Sequence, residues 1–235
     1  IIRGLDFFTY VIKGPSGTYI VDTGMKADLS GEGGRELLIE PADVLSRIGI
    51  DPKTVDKVLL THAHFDHVGN LDDYPNAHFT LHAEEMYSIT GPDMTYAPFK
   101  LAYHKRDTTR LVELVYEERL SFYAEKVTPV APGIEFHLVG GHARGQLVLR
   151  VHTRRGWIVL ASDAVHLYEE VESERPFAIF YDLKEMIDGY RTCVELAGGV
   201  DQLISGHDPL VTEWYPAIAP EFDSMVLDLG ATPNK

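Results

Sequence analysis

The sequence is short of cysteine, of basic charge and of long apolar runs. Its 235 residues include one cysteine, Cys193, which excludes an internal disulfide and any disulfide framework. Without such a framework the default compartment is the cytoplasm. Cys193 stands in GYRTCVELA, a helical apolar stripe, and reads as a small buried hydrophobe. No run of eighteen apolar residues occurs, so no transmembrane helix is expected. Lys and Arg number 21 against 36 Asp and Glu, a formal charge of −15. The densest basic runs are the pairs Lys105–Arg106 and Arg154–Arg155. A polyanion is repelled by such a field, so neither nucleic acid nor an anionic membrane is an expected partner. Fixed-period repeats and low-complexity tracts are also missing. The opening IIRGLDFFTYVIKG has no charged leader before an apolar core and a small-residue cleavage site, so it does not read as a signal peptide. A start at Ile1 and not Met leads to the expectation that the natural N-terminus lies upstream.

What is present is a core-forming chain, 45% hydrophobic, of a length suited to one α/β domain over residues 1–235. FFTYVIKG and GTYIVDTG flank a turn built on Gly14, Pro15 and Gly17, a hairpin signal. Residues 25–35 are Gly-rich loop. EPADVLSRIGI predicts a helix, with Pro41 at its first position and Gly49 as its stop. DKVLLTHAH is a buried strand that feeds a loop. HFTLH predicts a strand and AEEMYSI a helix start. Residues 90–125 are rich in aromatics and contain a helical stretch, RLVELVYEERL. The strands IEFHLVG, GQLVLRVHT and GWIVLASD follow, then a helix LKEMIDGYRTCVELA, a strand DQLISGHD and a Pro-broken tail. Strands and helices alternate with no linker-like break, which points to α/β architecture with helices covering the sheets.

The polar residues that break this pattern sit at strand ends. VLLTHAHFDH closes with His62, His64, Asp66 and His67; FHLVGGHARG with His142; WIVLASDAVH with Asp163 and then His166; DQLISGHDP with His207. Polar groups gathered from separate strand ends are the usual anatomy of a site on a sheet edge. Imidazole and carboxylate are the ligand set for Zn²⁺, Fe, Mn²⁺ or Co²⁺. His78, His82, His137 and His152 lie on or beside alternating strands and read as satisfied or solvent-facing; His104 is assigned no role.

At this point the chain resembles the metallo-β-lactamase superfamily. THAHFDHVGN looks like its HxHxDH motif, and VDTG at 21–24, GGH at 140–142, SDA at 162–164 and GHDP at 206–209 match its other motifs in order. The resemblance implies a four-layer αββα sandwich and two divalent metal ions, zinc first, with iron, manganese or cobalt as alternatives. Carried over by position, His62, His64 and His142 hold one metal, Asp66, His67 and His207 the other, and Asp163 bridges them. Asp22 is then a residue that fixes a ligand or loop by hydrogen bonding.

Within the superfamily the chain is most similar to the N-acyl homoserine lactonases. That implies hydroxide attack on a lactone carbonyl, quorum quenching as the biology, and Asp66 as proton shuttle to the leaving group. Those lactonases carry a tyrosine three residues after the bridging aspartate. Here that position is His166, and the nearest tyrosine is Tyr168, so either side chain is expected to hydrogen-bond the substrate. Other readings are a hydrolase of another small ester or thioester, and a mononuclear-iron sulfur dioxygenase. Met86, Tyr87, Met94, Tyr96, Phe99 and Tyr103 are expected to wall an acyl pocket, with core or dimer contact as the competing reading. The expected partner is a small-molecule substrate, with a homodimer as a further reading.

Overall fold

The computed structural model describes residues 4–235. Its contacts fall into two compact units. One is Phe7–Ala124; the other is Glu125–Lys235 together with the stretch ending at Asp6. The division falls among exposed residues, 124–127, where no Gly- or Pro-rich linker marks it.

The amino-proximal unit begins with the expected hairpin, β1 (Tyr10–Gly14) and β2 (Gly17–Val21), closed at Gly14↔Gly17. After two one-turn 3₁₀ helices comes α1 (Pro41–Arg47), with Pro41 at its first position. Its chain stops at Gly49, whose φ of 77° is a left-handed conformation that glycine takes without steric cost. Then follow β3 (Lys57–Leu59), β4 (His78–His82), α2 (Ala83–Ile89), α3 (Lys105–Tyr116) and β5 (Leu120–Tyr123). The sheet runs β1-β2-β3-β4-β5, with β2 to β5 parallel. Parallel strands are covered on both faces, and Val58, Leu60, Phe79 and Leu81 are fully buried accordingly. Leu111 and Leu114, three apart on α3, face the same core.

The carboxy-proximal unit holds β6 (Val127–Ala131), β7 (Ile134–Leu138), β8 (Leu147–Thr153), β9 (Gly156–Leu160), α4 (Tyr168–Ser173), α5 (Leu183–Ala197), β10 (Leu203–Ile204) and α6 (Leu210–Trp214). Its sheet runs β10-β9-β8-β7-β6, antiparallel except for β10 beside β9. Asp182 caps α5 by accepting from the Glu185 N–H at 2.8 Å, and Gly198 ends the helix in a left-handed conformation. The buried face of α5 carries Met186, Tyr190 and Cys193 against Val148, Val159 and Leu203. Burial pushes the Cys193 thiol up to about 12, as befits a packing residue. Among the described residues, no helix is long and apolar enough to cross a membrane.

Candidate metal centre

In the amino-proximal unit, the chain stays buried from Val58 through Leu71 as it leaves β3. Asp22, one residue beyond β2, organises this loop. Its backbone has a φ of 61°, a strained value for a residue other than glycine. The fully buried carboxylate accepts three hydrogen bonds: from the Thr61 N–H and the Thr61 hydroxyl at 2.8 Å each, and from His67 Nδ1 at 2.8 Å. With its proton on Nδ1, His67 carries its lone pair on Nε2. Asp66 Oδ2 lies 3.7 Å from that nitrogen. The His62 ring packs against His64 and His67, with centroids at 4.5 and 4.1 Å. The HAHFDH cluster is therefore one block of imidazoles, all nearly inaccessible to solvent.

Two residues outside the motif hold His64 in place. Its ring meets the Tyr103 ring edge-on at 4.4 Å. The Tyr103 hydroxyl donates to Glu85 Oε1 at 3.0 Å, and the same oxygen accepts from the Ala63 N–H at 3.0 Å. Glu85 is completely buried. Sequence reasoning misses it, because AEEMYSI looks like an ordinary acidic helix start.

The carboxy-proximal unit carries its own set on three loops. His142 follows β7, Asp163 lies in a 3₁₀ turn (Ser162–Ala164) after β9, and His207 follows β10. Glycine is needed at Gly206: a Cβ there would lie 2.3 Å from the Ser162 carbonyl oxygen. Asp163 faces three imidazoles. His142 Nε2 is 3.2 Å from its Oδ2, His166 Nε2 is 3.2 Å from Oδ2, and His207 Nε2 is 3.1 Å from Oδ1. On the far sides of the rings, His142 Nδ1 donates to the Ile179 carbonyl at 3.0 Å and His207 Nδ1 to the Asp6 carbonyl at 2.7 Å. Burial pulls the His166 imidazolium down, but Asp163 and Glu170 outweigh it and raise its pKa to about 9 in the metal-free chain.

Tyr168, the other side chain expected at the substrate, is buried. Its ring lies on Trp214 at 4.7 Å, and its hydroxyl donates to the Leu203 carbonyl at 3.1 Å. A phenol has one proton, and that proton is committed to β10. Tyr168 thus ties α4 to β10 within its unit. The six proposed wall residues do not share one role. Tyr87 and Tyr96 are mostly exposed, whereas Met86 and Tyr103 pack on the core. The remaining histidines serve locally. His78 pairs with Ser121, His82 caps α2, His137 meets Glu135, His152 packs on Trp157 and His104 stacks on Phe65.

The donor chemistry fits divalent cations. Buried imidazoles with Nδ1 fixed on an outer acceptor present Nε2 as electron-pair donor, and carboxylates stand beside them. Mixed sheets that bring such donors to their strand ends define a metal-dependent α/β hydrolase class. The chain belongs to the metallo-beta-lactamase superfamily, whose family model matches residues 7–192, and it has that fold. Among its relatives is the N-acyl homoserine lactonase AiiA of Bacillus thuringiensis subsp. kurstaki. The two are 26% identical over 204 residues, covering 76% of this chain and 72% of the relative. Two solved structures show the same fold. An N-acyl homoserine lactone hydrolase with N-hexanoyl-L-homoserine at its metal centre superposes with a TM-score of 0.72 at 22% identity, covering 89% of this chain and 84% of that one. AidC, a dizinc quorum-quenching lactonase, gives 0.64 at 18% identity, covering 85% and 71%.

Proposed function

We propose that the protein is a dinuclear metal-dependent lactonase that opens a small lactone, N-acyl homoserine lactones or close analogues first. The observation that carries the reading is the orientation of the histidines. His67, His142 and His207 each have Nδ1 engaged by an outer oxygen, which sets the tautomer a metal ligand needs. Following the superfamily motifs residue by residue, His62, His64 and His142 would hold one cation and Asp66, His67 and His207 the other, with Asp163 shared between them. Divalent cations held by these donors supply Lewis acidity toward a carbonyl oxygen and acidify water enough to give hydroxide at neutral pH. Zinc is the first choice, with iron, manganese and cobalt accepted by the same donors.

The protein's own groups do the rest. Asp66, a nearly buried carboxylate beside His67, takes the proton of the attacking water and returns it to the leaving alkoxide, which becomes the hydroxyl of the opened acid. Asp22 and Glu85 hold the histidine loop rigid, so the reacting groups do not have to be reorganised for each turnover. In the same reading the enzyme acts in the cytoplasm on a diffusible small molecule.

The test is a substrate panel. Metal-loaded protein is given homoserine lactones, other lactones, thioesters, β-lactams and phosphodiesters, and proton release is followed. Lactones are expected to give the fastest release. Turnover of another ester class with none from any lactone would overturn the proposal. One iron per chain with oxygen consumption on a persulfide would replace it with the dioxygenase reading.

A further inference from the structure

His166 is the histidine that the superfamily motifs leave without a part. It is nonetheless as buried as the motif histidines, at 2% exposure. Its Nε2 lies 3.2 Å from Asp163 Oδ2, yet neither ring nitrogen makes a hydrogen bond. At that distance the bond fails on direction and not on length. His207 Nε2, by contrast, hydrogen-bonds Asp163 Oδ1 at 3.1 Å. A buried imidazole left without a hydrogen bond beside a carboxylate needs an explanation, and a cation held between such donors is one.

The surroundings of His166 partly repeat those of His67, His142 and His207, whose Nδ1 atoms are hydrogen-bonded to Asp22, the Ile179 carbonyl and the Asp6 carbonyl. Beside His166 the outer oxygen is Glu170 Oε2, 3.6 Å from Nδ1 and without a hydrogen bond to it. Glu170 is itself buried and held, accepting from the His166 N–H at 3.1 Å and from the Tyr190 hydroxyl at 3.2 Å. The imidazole plane is clamped as well, stacked on Phe177 with centroids at 4.2 Å and nearly parallel to His207 at 5.5 Å. Donor atoms of Asp163, His166 and His207 all lie within 4.8 Å of one another.

We propose that His166 is a metal ligand, sharing a divalent cation with His207 and Asp163, its backbone held by Glu170. Added to Asp66 and His67, these imidazoles and carboxylates form a donor set suited to Fe²⁺ as well as to Zn²⁺, Mn²⁺ and Co²⁺. In this arrangement Nε2 gives its lone pair to the cation and has no proton to offer a substrate. That revises the role expected from the sequence. The inference rests on the metal-hydrolase reading for its setting but does not depend on which ester is cleaved.

The experiment measures metal and not turnover. The full chain is stripped of metal, and its stoichiometry and affinity for Zn²⁺ and Co²⁺ are measured by competition with a chromophoric chelator. Wild type is compared with His166→Phe, His166→Ala and Glu170→Gln. Phenylalanine keeps the stacking on Phe177 and removes both nitrogens, so a folded variant is expected, checked by far-UV circular dichroism of the metal-free protein. The expected result is a loss of more than about 100-fold in the affinity of one cation for both His166 variants, and of about 10-fold for Glu170→Gln. Pulsed electron paramagnetic resonance of the Cu²⁺-substituted protein should count one imidazole fewer in His166→Phe. Unchanged affinity and an unchanged imidazole count in folded His166→Phe would overturn the proposal. If lactone turnover persists in that case, the lactonase reading stands alone. If wild type loses a cation on substitution yet cleaves no lactone, the ligand assignment stands and the substrate assignment falls.

Discussion

Replacing Asp22 by asparagine changes one atom in kind and tests what that carboxylate does. One oxygen of the amide still accepts from the Thr61 N–H. The other position becomes an NH₂ group and faces His67 Nδ1, which donates to Oδ2 at 2.8 Å in the native protein. Two donors cannot share a hydrogen bond, so His67 must move its proton to Nε2 and accept at Nδ1. Nε2 is the atom that the proposed metal site needs as a donor. The Thr61 hydroxyl adapts by rotating, since it can accept as well as donate. Loss of an orienting partner behind a ligating histidine costs about 10- to 100-fold in metal affinity, roughly 1.4–2.7 kcal/mol. Chelator competition on Asp22→Asn, with circular dichroism to show that the fold persists, measures this directly. Affinity within twofold of wild type in a folded Asp22→Asn variant would refute the claim that Asp22 sets the His67 tautomer.

Two other substitutions separate structural from reactive groups. Tyr168→Phe removes a hydroxyl committed to Leu203, so it should lower stability by about 1 kcal/mol in denaturant titration and leave kcat/KM unchanged; a large fall in kcat at constant stability would return Tyr168 to the active site. Well below the unfolded thiol's pKa of about 8.5, Cys193 is protonated in both folded and unfolded chains, so its contribution is constant there. Between pH 9 and about 12 the unfolded thiol ionises while the buried one does not, the unfolded chain binds fewer protons, and stability falls by up to about 1.4 kcal/mol per pH unit. Denaturation of Cys193→Ala over that range should show a shallower slope than wild type, and parallel slopes would contradict the burial argument.

The strands and helices that sequence reveals here are those with a periodic apolar pattern and clear stops, such as β4, β8 and α5. Four elements escape it: the five-residue α6 in the Pro-broken tail, and three others for distinct physical reasons. β6 contains Pro129 and shifts register between Pro129 and Ala131, which a strand tolerates at a sheet edge. β5 has its middle residues exposed, and its first residue, Leu120, reads as the end of the preceding helical stretch. α4 is six residues of YEEVES, too short for a helical period to register.

The candidate site was legible wherever a histidine or aspartate directly follows an apolar run. Its supports were not. Glu85 and Tyr103 meet across 18 residues, and Glu85 reaches Ala63 across 22. Glu170 sits in a stretch that looks like a solvated acidic face. Spatial pairing, which a single sequence does not display, turns these residues from surface charges into buried struts.

The carbonyl of Asp6 accepts from a histidine 201 residues further along the chain. The unit Phe7–Ala124 is contiguous and can close while synthesis continues, but its neighbour must recover a strand of backbone made before that unit existed. His207 therefore meets its orienting partner only after a separation of 201 residues has been synthesised. Removing the residues before Phe7 would spare the first unit entirely and deprive His207 of the acceptor that fixes its ring. The orientation of the His207 ring is thus set by the order of synthesis as well as by the fold.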